Sequence, residues 1–499
     1  MTRRRARKVA VLGGGITGLS AAFYLLREAK ERGEEIELTV LEGSERLGGR
    51  VNTLRRDGFV IERGPDSFLA RKLPMVRLAE DLGLTGELTG TNPAAKKTYI
   101  SRDGKLLPMP EGLVLGVPTD AEKFMHTELV SQGGKLRALE DREYKPGTSD
   151  EDETVGSFLE RHMGAEMVTR IFEPLLAGIY AGDLYGLSLL ATFPQFKEME
   201  REYGSLIAGT IAARAAAAAN AATAGGASGA AASASSTSSG AAKLPSSLFY
   251  TFRNGLSTVV EALERELRNG GCEIRLGARV SALEKATDGD PEGAGYRLRL
   301  EEDGSALEAD QVLLALPATV MAKLLAPHTD VSALERIRYG SVANVVFGYD
   351  AAGFDHELDG SGFLVPRDEG RTITASTWTS AKWLHTAPEG KRLVRCYVGR
   401  AGDEAGVDLS DEELTSAVRR DLRELMGVTA VPEFVEITRL RNSMPQYPVG
   451  HTKAIAAFGA ELSSSLPGVF AAGVPFGGVG LPDCVAQGRS AAERMWDNT

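Results

Sequence analysis

Cysteine and histidine are scarce in this sequence of 499 residues. The three cysteines, Cys272, Cys396 and Cys484, lie far apart, and none has the C-x-x-C spacing of a zinc site or a redox dithiol. The six histidines are scattered singly along the chain, so they form no recognisable set of metal ligands. The sequence therefore predicts no metal centre, and the low cysteine content favours a reducing, cytoplasmic compartment.

Long hydrophobic runs and an excess of basic residues are also missing. No stretch of about 18 apolar residues runs without charged or polar interruption, so no transmembrane helix is expected. The basic start MTRRRARK leads into a strand and a glycine loop rather than the apolar region of an export signal. A net charge of -11 leaves too few cations to neutralise nucleic-acid phosphates. We expect no nucleic-acid partner and at most peripheral membrane contact.

One segment lacks residues that could anchor a core. Between positions 211 and 242, 29 of 32 residues are Ala, Gly, Ser or Thr. Its first part, IAARAAAAANAA, favours a helix because alanine has the highest helix propensity, whereas the later Gly- and Ser-rich part is typical of a flexible linker. We predict a flexible insertion within a folded unit; the alternative is a tether between domains.

The stretch VAVLGGGITGLSAAFYLL is typical of a strand, a tight turn and a helix. Gly13, Gly15 and Gly18 follow the apolar strand 8–12 with G-x-G-x-x-G spacing, which lets the backbone approach a pyrophosphate at the helix N-terminus. A second strand ends at Glu42, where a carboxylate can accept hydrogen bonds from ribose hydroxyls. Together these features predict a dinucleotide site.

The sequence after this acid distinguishes FAD from NAD. LEGSERLGGRVNT places Arg46, Gly48, Gly49 and Arg50 directly behind the acid, and it resembles the E-x-x-x-R-x-G-G-R pattern of the flavin-dependent amine oxidase superfamily. Glycines allow the chain to pass close to a bulky cofactor, and a guanidinium can pair with phosphate. The bound dinucleotide is therefore expected to be FAD.

The C-terminal region predicts a second helix N-terminus directed at the same cofactor. A strand at 469–472, a glycine-rich loop at 473–480 and a helix at 483–496 follow one another there. Between the two ends of the chain, a helix and strand precede Arg279 and Val280, and ADQVLLALPATV forms another buried strand. The two ends of the chain are therefore predicted to close one FAD domain.

Four sequence segments, called blocks below, point to one family within this superfamily. They are DGFVIERGPDSFLARK, EPLLAGIYAGDLYGLSLLATFPQF, SMPQYPVGH and FGGVGLPDCVAQG. In this order, and over nearly the whole chain, they resemble the coproporphyrinogen III / protoporphyrinogen oxidase family, in particular its soluble Gram-positive-type branch. The insertion at 211–242 and the acidic segment 138–153 depart from that pattern. Both departures argue against membrane association, and neither affects the flavin blocks.

The resemblance implies an α/β fold with a discontinuous Rossmann-like FAD-binding domain, a mixed-sheet substrate domain and a helical domain. We assign 1–90, 247–314 and 455–499 to the FAD-binding domain, 91–111, 196–246 and 315–454 to the substrate domain, and 112–195 to the helical domain.

The resemblance also implies an activity. It is the FAD-dependent oxidation of coproporphyrinogen III to coproporphyrin III by dioxygen in haem biosynthesis, with loss of six electrons, production of hydrogen peroxide and non-covalently bound FAD. A haem-pathway enzyme acting on the product is a candidate partner. The alternatives are protoporphyrinogen IX oxidation, another amine oxidase or desaturase activity, and a non-catalytic binding module. No general base is identified.

Residue roles follow from the motifs and from the resemblance. The residues expected to bind FAD are Gly13, Gly14, Gly15, Ile16, Thr17, Gly18, Glu42, Gly43, Gly49, Arg50, Gly64, Pro65, Asp66, Ser67, Val280, Val479, Gly480 and Leu481. The candidates for substrate contact are Arg71, Lys72, Ile179, Tyr180 and Trp378. The two cations could reach substrate propionates or could belong to a solvated helix start. The apolar and aromatic candidates could equally be core residues.

Overall fold

The computed structural model describes residues 5–144, 150–226, 247–286 and 295–497. Its strands are β1 (Arg7–Leu12), β2 (Ile36–Leu41), β3 (Thr53–Arg56), β4 (Phe59–Glu62), β5 (Phe68–Leu69), β6 (Leu88–Gly90), β7 (Lys97–Arg102), β8 (Lys105–Pro108), β9 (Leu113–Val114), β10 (Val117–Pro118), β11 (Phe249–Phe252), β12 (Glu273–Arg275), β13 (Val280–Lys285), β14 (Tyr296–Leu300), β15 (Ala306–Ala309), β16 (Gln311–Leu314), β17 (Arg338–Asp350), β18 (Gly360–Leu364), β19 (Ile373–Thr377), β20 (Lys391–Val398), β21 (Phe434–Gln446) and β22 (Val469–Ala471).

Its α-helices are α1 (Ile16–Arg32), α2 (Leu73–Asp81), α3 (Ala121–Met125), α4 (Gln132–Leu139), α5 (Val155–Met163), α6 (Ala165–Met167), α7 (Glu173–Tyr180), α8 (Leu189–Thr192), α9 (Pro194–Tyr203), α10 (Leu206–Gly226), α11 (Ser257–Asn269), α12 (Ala318–Leu325), α13 (Ser332–Glu335), α14 (Thr379–Lys382), α15 (Asp411–Met426), α16 (His451–Ser465), α17 (Val474–Gly477) and α18 (Leu481–Asp497). A π-helical segment, Val168–Phe172, joins α6 to α7.

A five-stranded parallel sheet carries the predicted dinucleotide site. Its order is β12-β2-β1-β16-β22, so it collects strands from all three pieces of the predicted FAD domain. Val9 and Val11 of β1 pack toward α1 and α18, while Ala10 and Leu12 pack into a second cluster with α12 and α16. Burial on both faces explains why β1 reads as a continuous apolar run.

The second large sheet is mixed and has seven strands, in the order β21-β17-β20-β19-β18-β7-β8. Its pairs are antiparallel except for β18 and β7, which run parallel. The apolar stretches VANVVFGYD and KRLVRCYVGR contribute to β17 and β20, which lie side by side in it. Helix α15 covers this sheet and begins with a capping box formed by Ser410 and Glu413.

Helices α4 to α9 and the start of α10 bury one apolar cluster. Phe196, Leu206 and Ile207 belong to that cluster together with Ile100 of β7, so α9 and the start of α10 pack both with the other helices and against the edge of the mixed sheet. Helix α10 runs to Gly226, so the first part of the insertion, 211–222, is helical, as its alanine content favours. The remainder of the insertion, 227–242, lies outside the described residues.

Two smaller results concern the predicted loop and the membrane. The loop predicted at 473–480 contains a short helix, α17, whose second residue is Pro475.

In the part of the chain that the structure describes, no helix has the length and apolarity needed to cross a bilayer.

Candidate active site

The glycine turn after β1 is closely packed on one side and open on the other. Gly13 has a φ of +108°, and a Cβ on Gly18 would collide with the Gly13 carbonyl oxygen, so the turn closes directly on the first turn of α1. Gly15 differs, because a Cβ built there meets no atom within 4 Å. Its φ of -76° is accessible to any residue. Gly15 therefore lies at an open cradle at the N-terminus of α1, the arrangement that a pyrophosphate requires.

Glu42 directly follows β2 at the carboxyl edge of the sheet. Its Oε2 accepts a hydrogen bond from the Gly14 N–H at 2.7 Å, and its Oε1 accepts from the Ser44 N–H at 2.8 Å and from the Ser44 hydroxyl at 2.7 Å. The carboxylate is thus fixed beside the glycine turn. Val280 begins β13 close by, because the Ala278 N–H donates to the Glu42 carbonyl at 2.9 Å.

The segment after Glu42 packs against the glycine turn. The Gly48 N–H donates to the Gly14 carbonyl at 2.8 Å, and Gly49 lies exposed beside Gly15. The Arg46 guanidinium donates to three carbonyls of its own loop, at Leu47, Gly49 and Val51. Arg46 therefore holds the loop, while the exposed Arg50 is the cation that a phosphate could reach.

Gly64 lies where two backbone segments touch. A Cβ there would collide with the Arg50 carbonyl oxygen, so only glycine fits at this crossing. Three residues further on, the Ser67 hydroxyl donates to the Asp66 carboxylate at 2.7 Å. The segment 64–67, which includes Pro65, thus touches the backbone of Arg50 at Gly64.

Helix α18 begins at Leu481 and crosses α1 at close range. A Cβ on Gly488, in the middle of α18, would lie 2.5 Å from the Thr17 carbonyl oxygen, so the first turn of α1 touches the middle of α18. The predicted residues Ile16, Thr17 and Leu481 are buried. Because α1 follows β1, α18 comes after β22 and both strands belong to one parallel sheet, both positive helix ends lie at the carboxyl end of that sheet.

The block SMPQYPVGH contacts the block EPLLAGIYAGDLYGLSLLATFPQF and the loop before α18. The Gln446 side-chain amide donates to the Tyr180 carbonyl at 3.0 Å, the Tyr447 hydroxyl donates to the Val474 carbonyl at 2.5 Å, and His451 Nε2 lies 3.0 Å from the Pro475 carbonyl. Val479 packs against the helical cluster at the same junction. The block is recognisable in the sequence by its family resemblance, but no local pattern predicts its hydrogen bonds to the loop before α18.

The substrate candidates separate into two groups. Lys72 forms an ion pair with Asp483, whereas Arg71 is exposed and has no ion pair within the described residues. Ile179 is exposed at the end of α7. The neighbouring Tyr180 is buried against Phe193 and Tyr447, and burial raises its pKa to about 12. Lys72 thus contacts α18 directly, and Tyr180 packs on Tyr447, which bonds the loop before α18.

Trp378 lies elsewhere, and its surroundings favour the alternative of a core residue. Only 1% of its surface is exposed, and it packs on Tyr99 and His356 in the core of the mixed sheet. The structure therefore offers no accessible face of Trp378 to a substrate. An aromatic residue near a candidate site in sequence is more often a packing residue, as here.

The remaining cofactor candidates lie around the same edge of the sheet. Gly43 has its carbonyl within 3.2 Å of the Arg279 Nε, and Gly480 lies against the Asp483 carboxylate. Across the described ranges, no three His, Cys, Asp or Glu side chains are close enough to hold a metal ion. The glycine turn, Glu42 and the 48–50 segment thus lie together at the carboxyl edge of the sheet.

Comparison with known proteins agrees with this geometry. Residues 16–496 match the family described as flavin containing amine oxidoreductase. The chain is 40% identical over 485 residues to coproporphyrinogen III oxidase of Bacillus subtilis, covering 97% of each chain. It is 30% identical to the chloroplastic protoporphyrinogen oxidase 1 of Arabidopsis thaliana, covering 95% of this chain and 85% of the relative. A solved structure of a putative protoporphyrinogen oxidase from Exiguobacterium superposes with a TM-score of 0.84 at 34% identity, covering 99% of this chain and 100% of that one.

Proposed function

Since the chain belongs to the flavin containing amine oxidoreductase family, we propose that it oxidises coproporphyrinogen III to coproporphyrin III with FAD and dioxygen, in haem biosynthesis. The observation that carries the proposal is the 40% identity to the Bacillus subtilis coproporphyrinogen III oxidase over 97% of both chains. The contacts among the four sequence blocks around one end of the parallel sheet support it.

The residues at the glycine turn fit an FAD molecule. Gly15 leaves a cradle that a Cβ would fill, and Gly49 and Arg50 lie exposed beside it. Glu42, fixed by the Gly14 N–H, would accept hydrogen bonds from the adenosine ribose. Arg50 and the N-terminus of α1 would hold the pyrophosphate, because both present positive charge there. We propose non-covalent binding through these contacts.

The overall reaction fixes what the protein must do. A porphyrinogen becomes a porphyrin by losing six electrons and six protons, and three dioxygen molecules accept them as three molecules of hydrogen peroxide. A bound flavin supplies two-electron oxidation in three rounds and returns the electrons to dioxygen. The protein's own residues must bind the macrocycle, orient its saturated bridges and exclude bulk water.

Substrate recognition is proposed to involve the cations that follow the RGPDS block. Coproporphyrinogen III carries four propionates and protoporphyrinogen IX carries two, so additional cations would favour the former. Arg71 is exposed and has no ion pair within the described residues, which leaves its charge available to a carboxylate. Ile179, exposed at the end of α7 next to Tyr180, is proposed to contact the apolar part of the macrocycle.

A second candidate activity is protoporphyrinogen IX oxidation. The Arabidopsis thaliana relative carries that name and is 30% identical to this chain, compared with 40% for the Bacillus subtilis protein. Coproporphyrinogen III is therefore the preferred substrate in our proposal. A cytoplasmic location and a downstream haem-pathway enzyme as partner belong to the same proposal.

The proposal can be tested by aerobic turnover of the purified yellow protein. Coproporphyrinogen III should yield fluorescent coproporphyrin III with about three dioxygen molecules consumed, and three of peroxide formed, per porphyrin. The supernatant of the heat-denatured protein should contain FAD. A colourless protein, or a yellow protein that forms no porphyrin above the uncatalysed rate, would contradict the proposal.

A further inference from the structure

The segment before Ser67 is bound from the opposite side by residues of the mixed sheet. The Asn344 side-chain amide on β17 donates to the Arg63 carbonyl at 2.9 Å. The Arg395 guanidinium on β20 donates through Nη2 to the Gly64 carbonyl. Two adjacent strands of the substrate domain thus hold consecutive carbonyls of a segment that belongs to the predicted FAD domain.

The acid in this segment is held in the same way. The Lys382 Nζ lies 3.7 Å from the Asp66 carboxylate. Desolvation raises the pKa of Asp66, but the charges of Lys382 and Arg395 outweigh it and bring the pKa below its ordinary value. Asp66 is therefore an anion stabilised by cations of the other domain.

Arg395 is unusual because it is an almost fully buried cation on a strand. Its residue is 4% exposed, and within the described residues its Nε and Nη1 have no hydrogen-bond acceptor. It lines a cavity of about 20 Å³ together with Glu62, Thr251, Trp383 and His385. That volume has room for about one water molecule. Burying a guanidinium is costly unless its charge is used. Here the guanidinium donates to the Gly64 carbonyl, lowers the pKa of Asp66 and lies 4.7 Å from the centre of the Tyr397 ring.

A displacement of Gly64 would be transmitted to Arg50. The two backbones touch, because no Cβ fits between Gly64 and the Arg50 carbonyl oxygen. Without the hydrogen bond from Arg395, the Gly64 carbonyl could move. The Arg50 backbone, which packs against Gly64, would then no longer be held in place. The exposed face of Arg50 is the one proposed above for the pyrophosphate.

We infer that Arg395 is a positioning residue, which fixes the 63–67 segment and, through Gly64, the FAD-binding surface at Arg50. This inference rests on the proposed FAD site. It assigns to a residue of the substrate domain a role in cofactor affinity and in the flavin environment. Arg395 acts through the segment and is not assigned a contact with substrate.

The test compares Arg395→Met with Arg395→Lys and a control, Arg400→Met. Arg400 is a matched control because it is also a buried arginine, 5% exposed, and donates to a carbonyl, that of Val365, outside the 63–67 segment. The measurements, made on holoprotein without porphyrinogen, are the FAD dissociation constant, the visible flavin spectrum and the flavin midpoint potential. Arg395→Met should weaken FAD binding by about tenfold or more and shift the spectrum and the potential. Arg395→Lys should restore part of the affinity, and Arg400→Met should change FAD affinity by less than about twofold.

A folded Arg395→Met protein with wild-type FAD affinity, spectrum and potential would overturn the inference, as would an equal loss in Arg400→Met. If Arg395→Met does not fold, Asn344→Leu provides the second test, because it removes the donor to the Arg63 carbonyl. It should weaken FAD binding several-fold, and unchanged binding would again overturn the inference. A wild-type protein that binds FAD but does not oxidise coproporphyrinogen III would contradict the proposed function and leave this inference intact.

Discussion

The Lys72 ammonium lies 2.7 Å from one carboxylate oxygen of Asp483 and 2.8 Å from the other. The pair joins the residue before α2 to the first turn of α18, and the two side chains are 42% and 26% exposed. The charge of Lys72 is thus already balanced within the protein. A propionate that approached this lysine would also meet the negative charge of Asp483.

Replacing Lys72 by Met should therefore act mainly through Asp483. The carboxylate left without its partner would repel substrate propionates, so the KM for coproporphyrinogen III should rise a few-fold; partial exposure limits the effect to about 1 kcal/mol. Asp483→Asn in the same protein should recover most of the loss. Steady-state kinetics of the two single variants and the double variant measure this coupling.

Arg71→Met provides the comparison, because Arg71 has no ion pair within the described residues. Its loss should lower kcat/KM for coproporphyrinogen III by about tenfold if the carboxylate contact is desolvated, and should lower it less for protoporphyrinogen IX. An unchanged ratio of the two specificity constants in both Arg71→Met and Lys72→Met would show that the propionates are bound by other cations.

Gly15→Leu should fold and yet lose FAD. The φ of Gly15 suits any residue and no protein atom lies within 4 Å of its Cβ position, so the protein itself accommodates the side chain. The cofactor would not, and FAD occupancy should fall below about one tenth of wild type. Gly459→Leu is the matched control, because this helical glycine also has free space around it. Full FAD content in a folded Gly15→Leu protein would refute the placement of the pyrophosphate.

Deleting 215–240 should leave FAD content and turnover nearly unchanged. Among the α10 residues whose burial the structure describes, the buried ones, Leu206, Ile207, Gly209 and Thr210, precede the deletion, and 213–217 are exposed. Shortening a connection changes closure free energy by only about 0.6 kcal/mol per factor of two in length. Soluble yield, flavin content and melting temperature provide the measurement. A drop in melting temperature of more than about 10 °C would show that the removed residues are packed.

Glu62 should make the protein less stable as pH rises. Desolvation raises the pKa of Glu62 from 4.5 to about 7 despite hydrogen bonds from the Leu256 N–H and the Thr53 hydroxyl. The unfolded chain would release this proton near pH 4.5 and the folded protein only near pH 7, so stability falls across that interval and is constant above it. The loss is on the order of 3 kcal/mol.

Glu62→Gln should remove this dependence. Urea unfolding at pH 5 and pH 8 should show the variant gaining stability over wild type at the higher pH only. An equal difference between the two proteins at both pH values would show that Glu62 titrates normally in the folded state.

Local patterns were sufficient to predict the parallel sheet and the glycine turn. The strand at β1, the helix α1 and the acid at Glu42 follow from periodicity and spacing, and the structure has them at the predicted places. These features depend on neighbours close in sequence. The later strands β16 and β22 were also predicted, because buried parallel strands form recognisable apolar runs.

Long-range pairs were not predictable in this way. Lys72 and Asp483 are 411 positions apart, and no spacing rule connects them. Asp141, part of the acidic segment that departed from the family pattern, is buried, and its carboxylate bonds His162 and Ser205. For Arg395 the sequence contains one indication. The arginine lies inside the apolar stretch LVRCYV, and a charge within an apolar strand indicates a buried cation that has a partner.

The most direct test of the account is anaerobic mixing of the oxidised holoprotein with coproporphyrinogen III and, separately, with protoporphyrinogen IX, in a stopped-flow instrument that records flavin absorbance and porphyrin fluorescence. The account predicts flavin bleaching and porphyrin formation with both compounds, and a second-order rate constant about tenfold higher for coproporphyrinogen III, from about one extra carboxylate contact. Absence of bleaching with either compound would contradict porphyrinogen oxidation. An equal or higher rate constant for protoporphyrinogen IX would contradict the proposed substrate.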